Sequence, residues 1–266
     1  MVGPHPLRLG VVPYLNVAPM IHGLADDPSV RLIRDVPSKL LKRLLAGEMD
    51  AGTVPSIDYA SAAHELRIIS GIAIASRGPV RSVRLVHWGL VEDVKTVALD
   101  NSSHTSVALL KVLLRERLGR DPEYVTCAPD LGAMMERADA ALLIGDPALF
   151  SGDDHAYLDL GAEWTALTGL PFVYAFWAAR ANVVTAAQVR RLKEALYAGQ
   201  SAIPDIAAAY NGAGTKQPEL CESYLRDNVV YRFGDDERRG LLEFYRRCHA
   251  QGLIGRIPEL RFHGDS

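Results

Sequence analysis

The sequence predicts an α/β protein of two lobes with a ligand cleft between them. Three observations point there. Apolar runs of strand length alternate with helix-patterned runs in both halves of the chain, as in sheets covered by helices. The halves also echo one another. LLKRLLAGEMDAGTVPS (40–56) and LGAMMERADAALLIGDPA (131–148) each run helix, Asp-Ala, apolar strand, proline. Finally, two extended segments, 76–91 and 168–180, can carry the chain from one lobe to the other and back. Residues 1–90 with 178–266 then form a discontinuous first lobe, and 91–177 the second. The competing arrangement is one continuous doubly wound sheet.

The elements follow in order. LRLGVV (7–12) reads as a buried strand stopped by Pro13. A helix opens near Asn16, with Pro19 in its first turn, where a missing N–H costs nothing. VRLIRDV (30–36) is a strand. Leu40, Leu41, Leu44 and Leu45 then repeat at helix spacing, after Pro37 and before Gly47. AGTVP (51–55) is a second buried strand, PSIDYASAA a short helix, and LRIISGIAIAS (66–76) a long apolar strand. This βαβαβ order argues for parallel strands. After the turn and extended run RGPVRSVRLVHW, the alternation restarts. VKTVALD is a strand, SSHTSVALLKVLLRERLG a helix, PEYVTCA a strand, DLGAMMERAD a helix, and AALLIGDPALF a strand with a loop. The tail from Thr185 is mainly helical.

Composition narrows the function. The 266 residues carry a formal net charge of −3. No broad basic field exists for nucleic acid or an anionic membrane, so an anionic ligand must be held by local dipoles. Cys127, Cys221 and Cys248 lie far apart, with no C-x-x-C, and read as reduced thiols of a cytosolic protein. The opening stretch, with prolines at 4 and 6, has no long apolar run, so no secretory signal is read. No apolar run is long enough to span a bilayer. His22, His64, His155 and His249 lack partners at metal spacing, so no metal is expected. Dinucleotide, P-loop and nucleophile-elbow motifs are missing, and no cofactor is expected.

One stretch asks for a ligand. In DNSSHTS (100–106) a strand delivers the chain to a helix start carrying hydroxyls at Ser102, Ser103, Thr105 and Ser106. A helix N-terminus offers unpaired N–H groups and a positive dipole end, which suits a carboxylate or phosphate. One hydroxyl suffices to cap a helix; four suggest an anion site. PYLN (13–16) is the matching turn in the other half, and Asn16 could cap there or present its amide to a ligand. Ser82 sits in the first crossing segment. Asp146, in GDPA, is a cleft carboxylate or a turn former. Thr168 and the Gly169 backbone sit in a loop, TALTGLPF, that could reach a ligand. His87 and His104 are candidate acid–base groups.

LGVVPYLNVAP, RGPVRSVRLV, DNSSHTSVALLKVLL, DAALLIGDPAL and DLGAEWTALTGLPFVYAFWAAR occur in this order. Together they resemble the chorismate dehydratases of the futalosine route to menaquinone, from about Leu7 to Arg180. The resemblance implies the type II periplasmic-binding-protein fold and loss of water from chorismate to give 3-[(1-carboxyvinyl)oxy]benzoate, without cofactor. The implied partner is a small dianionic substrate. Carried onto this sequence, the expected catalytic residues are Asn16, Ser82 and Asp146. The expected substrate contacts are Tyr14, Ser56, Ser102, Ser103, Thr105, Ser106, Gly145, Thr168 and Gly169. The base at C3 is left open: Asp146, His104 or the substrate's own enolpyruvyl carboxylate. A sister enzyme making 1,4-dihydroxy-6-naphthoate shares the fold, as do non-catalytic solute-binding proteins.

Overall fold

In β1 (Leu7–Val11) the leucines and valine are buried and Arg8 is not, so one face of the strand is apolar. β3 (Ala51–Pro55) and β8 (Ala140–Ile144) are buried at every position, the pattern of a strand covered on both faces. The computed structural model describes residues 5–100, 102–152, 154–211, 214 and 216–264. Asn101 of the DNSSHTS turn lies outside the described residues.

The strands form two five-stranded sheets. The first has the order β2 (Val30–Arg34), β1, β3, β10 (Phe172–Arg180), β4 (Leu66–Ser76). The second runs β7 (Glu123–Cys127), β6 (Thr96–Asp100), β8, β5 (Val83–His87), β9 (Tyr157–Asp159). Two lobes result, as the sequence predicted. The expected parallel order is interrupted: β10 inserts antiparallel between β3 and β4. β5 is likewise antiparallel, between β8 and β9. Each extended crossing segment thus ends as a strand of the lobe it enters, where its backbone N–H and C=O groups find partners.

The expected lobe limits shift accordingly. β5 already belongs to the second sheet, although residues up to 90 were expected in the first lobe. β10 belongs to the first sheet from Phe172, before the expected return at 178. By strand pairing the chain changes sheets within two stretches, 77–82 and 160–171. The Asp159 carboxylate holds the first of them, accepting from Val80 N and Arg81 N at 2.9 and 2.6 Å. It also accepts from Gly161 N and Ala162 N, capping α6 (Leu160–Thr168). Arg81 is held there with φ 64°, uncommon for a side chain with a Cβ.

Helices cover the sheets: α1 (Pro37–Leu45), α2 (Ser56–Ala62), α3 (His104–Leu118), α4 (Leu131–Met135), and α5 (Gly145–Leu149), which forms where a loop was expected. Leu15–Ile21 is a 3-10 stretch begun by Tyr14, so Asn16 sits inside it and does not cap it. The tail contributes α7 (Ala186–Ser201), α8 (Ile203–Ala209), α9 (Pro218–Ser223) and α10 (Asp235–Ala250). It also pairs with the first sheet: Ala75 and Val230 exchange N–H···O bonds of 2.9 and 2.7 Å. Among the described residues no helix is long and apolar enough to cross a membrane.

Candidate functional site

A cleft with about 560 Å³ of atom-free space, part of it open to solvent, lies between the lobes. The first lobe supplies Val12, Tyr14 and Asn16 from the turn after β1, Thr53 and Pro55 from β3, and Tyr174 from β10. The second supplies Ser103 and Ser106 from the start of α3 and Ile144 and Gly145 from the end of β8. Val80 and Ser82 enter from the crossing segment. Six expected residues therefore meet here: Tyr14, Asn16, Ser82, Ser103, Ser106 and Gly145. Among the described residues no Asp, Glu, Lys, Arg or His lines the cavity. Its polar chemistry is hydroxyls, one amide and the N-terminus of α3.

Ser103 is the N-cap of α3, its Oγ accepting from Ser106 N at 3.3 Å and lying 3.0 Å from Ser106 Oγ. This cap leaves other first-turn N–H groups of α3 unpaired within the helix, at the cavity wall. Asn16 Oδ1 is buried without a hydrogen-bond partner. Ser82 is buried, and its Oγ accepts from Tyr224 Oη at 2.8 Å. Gly145 has φ 62°, and a Cβ there would lie 2.9 Å from three Tyr14 ring carbons. The lobes thus touch where only a hydrogen fits. Burial pushes the Tyr14 phenol above its ordinary pKa. The Ser102 hydroxyl opposes that shift from nearby, although it is buried without a hydrogen bond of ordinary geometry.

The other expected residues lie elsewhere. Ser56 Oγ donates to Val173 O at 2.7 Å, which pins α2 to β10. Ser102 stands behind Tyr14, and its N–H donates to Asp100 Oδ1. Thr105 Oγ1 accepts from Ile57 N at 3.2 Å, linking α3 to α2 across the lobes. Thr168 Oγ1 donates to Trp164 O and accepts from Leu170 N, while exposed Gly169 ends α6 with φ 69°. Both belong to that helix terminus, outside the cavity wall. His87 Nδ1 faces Gly89 O. His104 pairs with Asp58 at 2.8 Å in an outer groove, and the carboxylate raises the imidazole's pKa.

Asp146 clasps the lobes from behind the cavity. Its carboxylate accepts from Leu15 N at 3.0 Å and from the Tyr210 hydroxyl. Burial raises its pKa, opposed by those two hydrogen bonds. Both of its oxygens are engaged by protein donors and its side chain is not in the cavity wall, so the residue expected to be catalytic bridges the lobes in this structure. Sequence reasoning missed Thr53, Tyr174 and Tyr224. Thr53 sits inside a fully apolar-reading strand and Tyr224 in an undistinguished tail, so no local pattern marks either. Among the described residues no cluster of three or more His, Cys, Asp or Glu could hold a metal.

Residues 7–250 match the model of a family described as menaquinone biosynthesis. The chain belongs to this menaquinone-biosynthesis family. It is 34% identical to the chorismate dehydratase of Thermus thermophilus, over 93% of this chain and 96% of that protein. It is 29% identical to the chorismate dehydratase of Campylobacter jejuni, over 92% and 98%. Among solved structures, a protein of Archaeoglobus fulgidus superposes with TM-score 0.77 at 20% identity, covering 95% of this chain and all of that one. The periplasmic aliphatic sulphonate binding protein SsuA of Escherichia coli superposes with TM-score 0.69 at 18% identity, covering 99% and 96%. These likenesses show the periplasmic-binding-protein fold.

Proposed function

We propose that this menaquinone-biosynthesis family member is a chorismate dehydratase, a hydro-lyase that eliminates water from chorismate to give 3-[(1-carboxyvinyl)oxy]benzoate. The observation that carries the reading is the match to the Thermus enzyme along nearly the whole of both chains. The cavity suits the substrate's chemistry. Chorismate is a small dianion, and neutral donors with a helix N-terminus can hold carboxylates without a basic surface.

The reaction needs a base at C3, a sink for charge and help for the departing oxygen. Loss of the C3 proton sends its bonding electrons into the ring, and the developing charge spreads to the ring carboxylate. Ser103, Ser106 and the α3 N-terminus hold that carboxylate. Donors preorganised there stabilise the transition state more than the ground state. The C4–O bond then breaks, the ring becomes aromatic, and the leaving oxygen departs beside the Asn16 amide. Among the described residues the wall offers only the Tyr14 and Tyr174 phenols as titratable groups; in this reading the substrate's enolpyruvyl carboxylate takes the C3 proton and returns it to the leaving hydroxide as water. Asp146 and His104 are left outside this sequence by their positions. The protein works in the cytoplasm, in keeping with three free cysteines.

The test is direct. Purified protein is incubated with chorismate, and the ultraviolet spectrum and product mass are followed. Loss of the cyclohexadiene band with formation of the enolpyruvyl benzoate is expected. Persistence of chorismate, with the chain folded, would overturn the reading.

A further inference from the structure

The tail after β10 does more than cover the first lobe. Three of its tyrosines end on residues in or beside the candidate site. Tyr210 Oη donates to Asp146 Oδ2, Tyr224 Oη to Ser82 Oγ at 2.8 Å, and Tyr231 Oη to the Asn16 carbonyl at 2.9 Å. Of these, only the Tyr224 bond acts on a side chain that lines the cavity.

Tyr224 is held firmly. It is 1% exposed and opens a π-helical turn, Tyr224–Asn228, closed by Val229 N donating to Tyr224 O at 3.2 Å. Such turns cost regularity and recur at functional sites. The far end of the turn is tied to the lobe crossing, since Asn228 Nδ2 donates to Pro79 O at 2.9 Å. The turn is thereby tied to the crossing segment that also carries Ser82.

The direction of that bond has a chemical consequence. A serine hydroxyl has one hydrogen and two lone pairs. In the Tyr224–Ser82 bond the phenol is the donor, so the Ser82 hydrogen remains for another acceptor. Ser82 is 3% exposed, and its free side is the cavity. Accepting a hydrogen bond also polarises a hydroxyl and strengthens its own donation. We infer that Tyr224 is a positioning residue that fixes Ser82 as a donor into the cavity, in a relay Tyr224 Oη–H to Ser82 Oγ–H to a substrate oxygen. The inference rests on the proposed dehydration for its substrate. Desolvation raises the pKa of the buried phenol, which favours the protonated form that donates.

The experiment is a double-mutant cycle read by steady-state kinetics with chorismate. Turnover by the unaltered protein comes first: no turnover there defeats the dehydratase reading and is distinct from failure of the relay. Tyr224→Phe keeps the buried ring and removes the donor. It is expected to lower kcat/KM about tenfold with an unchanged melting profile apart from a small shift. Ser82→Ala is expected to lose more, and Tyr224→Phe added to Ser82→Ala is expected to lose nothing further. A merely structural Tyr224 would give additive losses, and additive losses, or native kinetics in Tyr224→Phe, would overturn the inference. Should Tyr224→Phe fail to fold, Ser82→Cys decides. A thiol is a weak donor and acceptor in the same place, so its activity should fall to that of Ser82→Ala, and native activity in Ser82→Cys would sink the relay.

Discussion

Gly145→Ala separates lobe closure from fold stability. Two effects act at this residue. The backbone has φ 62°, and an alanine there bears the left-handed penalty of about 1–2 kcal/mol in any folded state. The added Cβ would also sit 2.9 Å from Tyr14 Cγ, Cδ1 and Cε1. An aromatic ring cannot flex aside, so the clash resembles overpacking, at about 1–3 kcal/mol. Tyr14 belongs to the first lobe and Gly145 to the second, so the clash exists only when the lobes meet. Gly169→Ala is the control, with φ 69° and nothing within 4 Å of a built Cβ. Both variants should lose about 1–2 kcal/mol in urea titrations. Only Gly145→Ala should lose kcat/KM for chorismate, by roughly 5–150-fold for a closure penalty of about 1–3 kcal/mol. Equal kinetics in the two variants would refute the argument that the cavity is completed at the Tyr14–Gly145 contact.

Further outcomes follow from the same geometry. Ser106→Ala should weaken chorismate binding by about 1–3 kcal/mol, as for a lost hydrogen bond to a charged group, whereas Thr105→Ala, which strips Ile57 N of its acceptor, should show in stability more than in KM; the reverse pattern in titration and kinetics would count against the site as drawn. Asp146→Asn should retain most of kcat, because the carboxylate lies behind the cavity; loss by several orders of magnitude with the fold intact would restore a protein base. Its raised pKa means that its favourable contribution to stability is present at pH below the unfolded carboxyl value and is lost as pH rises through the folded one, so Asp146→Asn should flatten that part of the stability curve. The His104–Asp58 pair runs through an imidazole of raised pKa: its stabilisation is full below about pH 6.5 and lost as pH rises through the folded value. With His104 half exposed, the effect should stay under about 1 kcal/mol, and an unchanged pH dependence of stability in His104→Ala would remove the pair from the account.

The sequence was legible where local pattern carries the physics. Continuous apolar runs became β3 and β8, and the hydroxyls of DNSSHTS marked the start of α3, placing Ser103 and Ser106 in the cavity. The turn at PYLN placed Tyr14 and Asn16 opposite them. Legibility failed where a contact spans much of the chain. Nothing around Phe172–Arg180 says that this strand inserts between β3 and β4, because the insertion depends on an edge made a hundred residues earlier. Asp146 read as a cleft carboxylate because its partners, Leu15 and Tyr210, lie 131 and 64 residues away. Tyr224 was invisible for the same reason, 142 residues from Ser82. Thr168 and Gly169 resembled a binding loop but serve as the end of α6, a role that the same residue types fill equally well.

The central claim is that dehydration takes place between the lobes, against Tyr14, Asn16, Ser82, Ser103 and Ser106. A crystal structure of the protein with 3-[(1-carboxyvinyl)oxy]benzoate tests it most directly. The expected density lies in this cavity, with a carboxylate at the α3 N-terminus and an oxygen within hydrogen-bond reach of Ser82 Oγ. Product density in the outer groove beside Asp58, His104, Lys111 and Arg256, with the inter-lobe cavity empty, would contradict it.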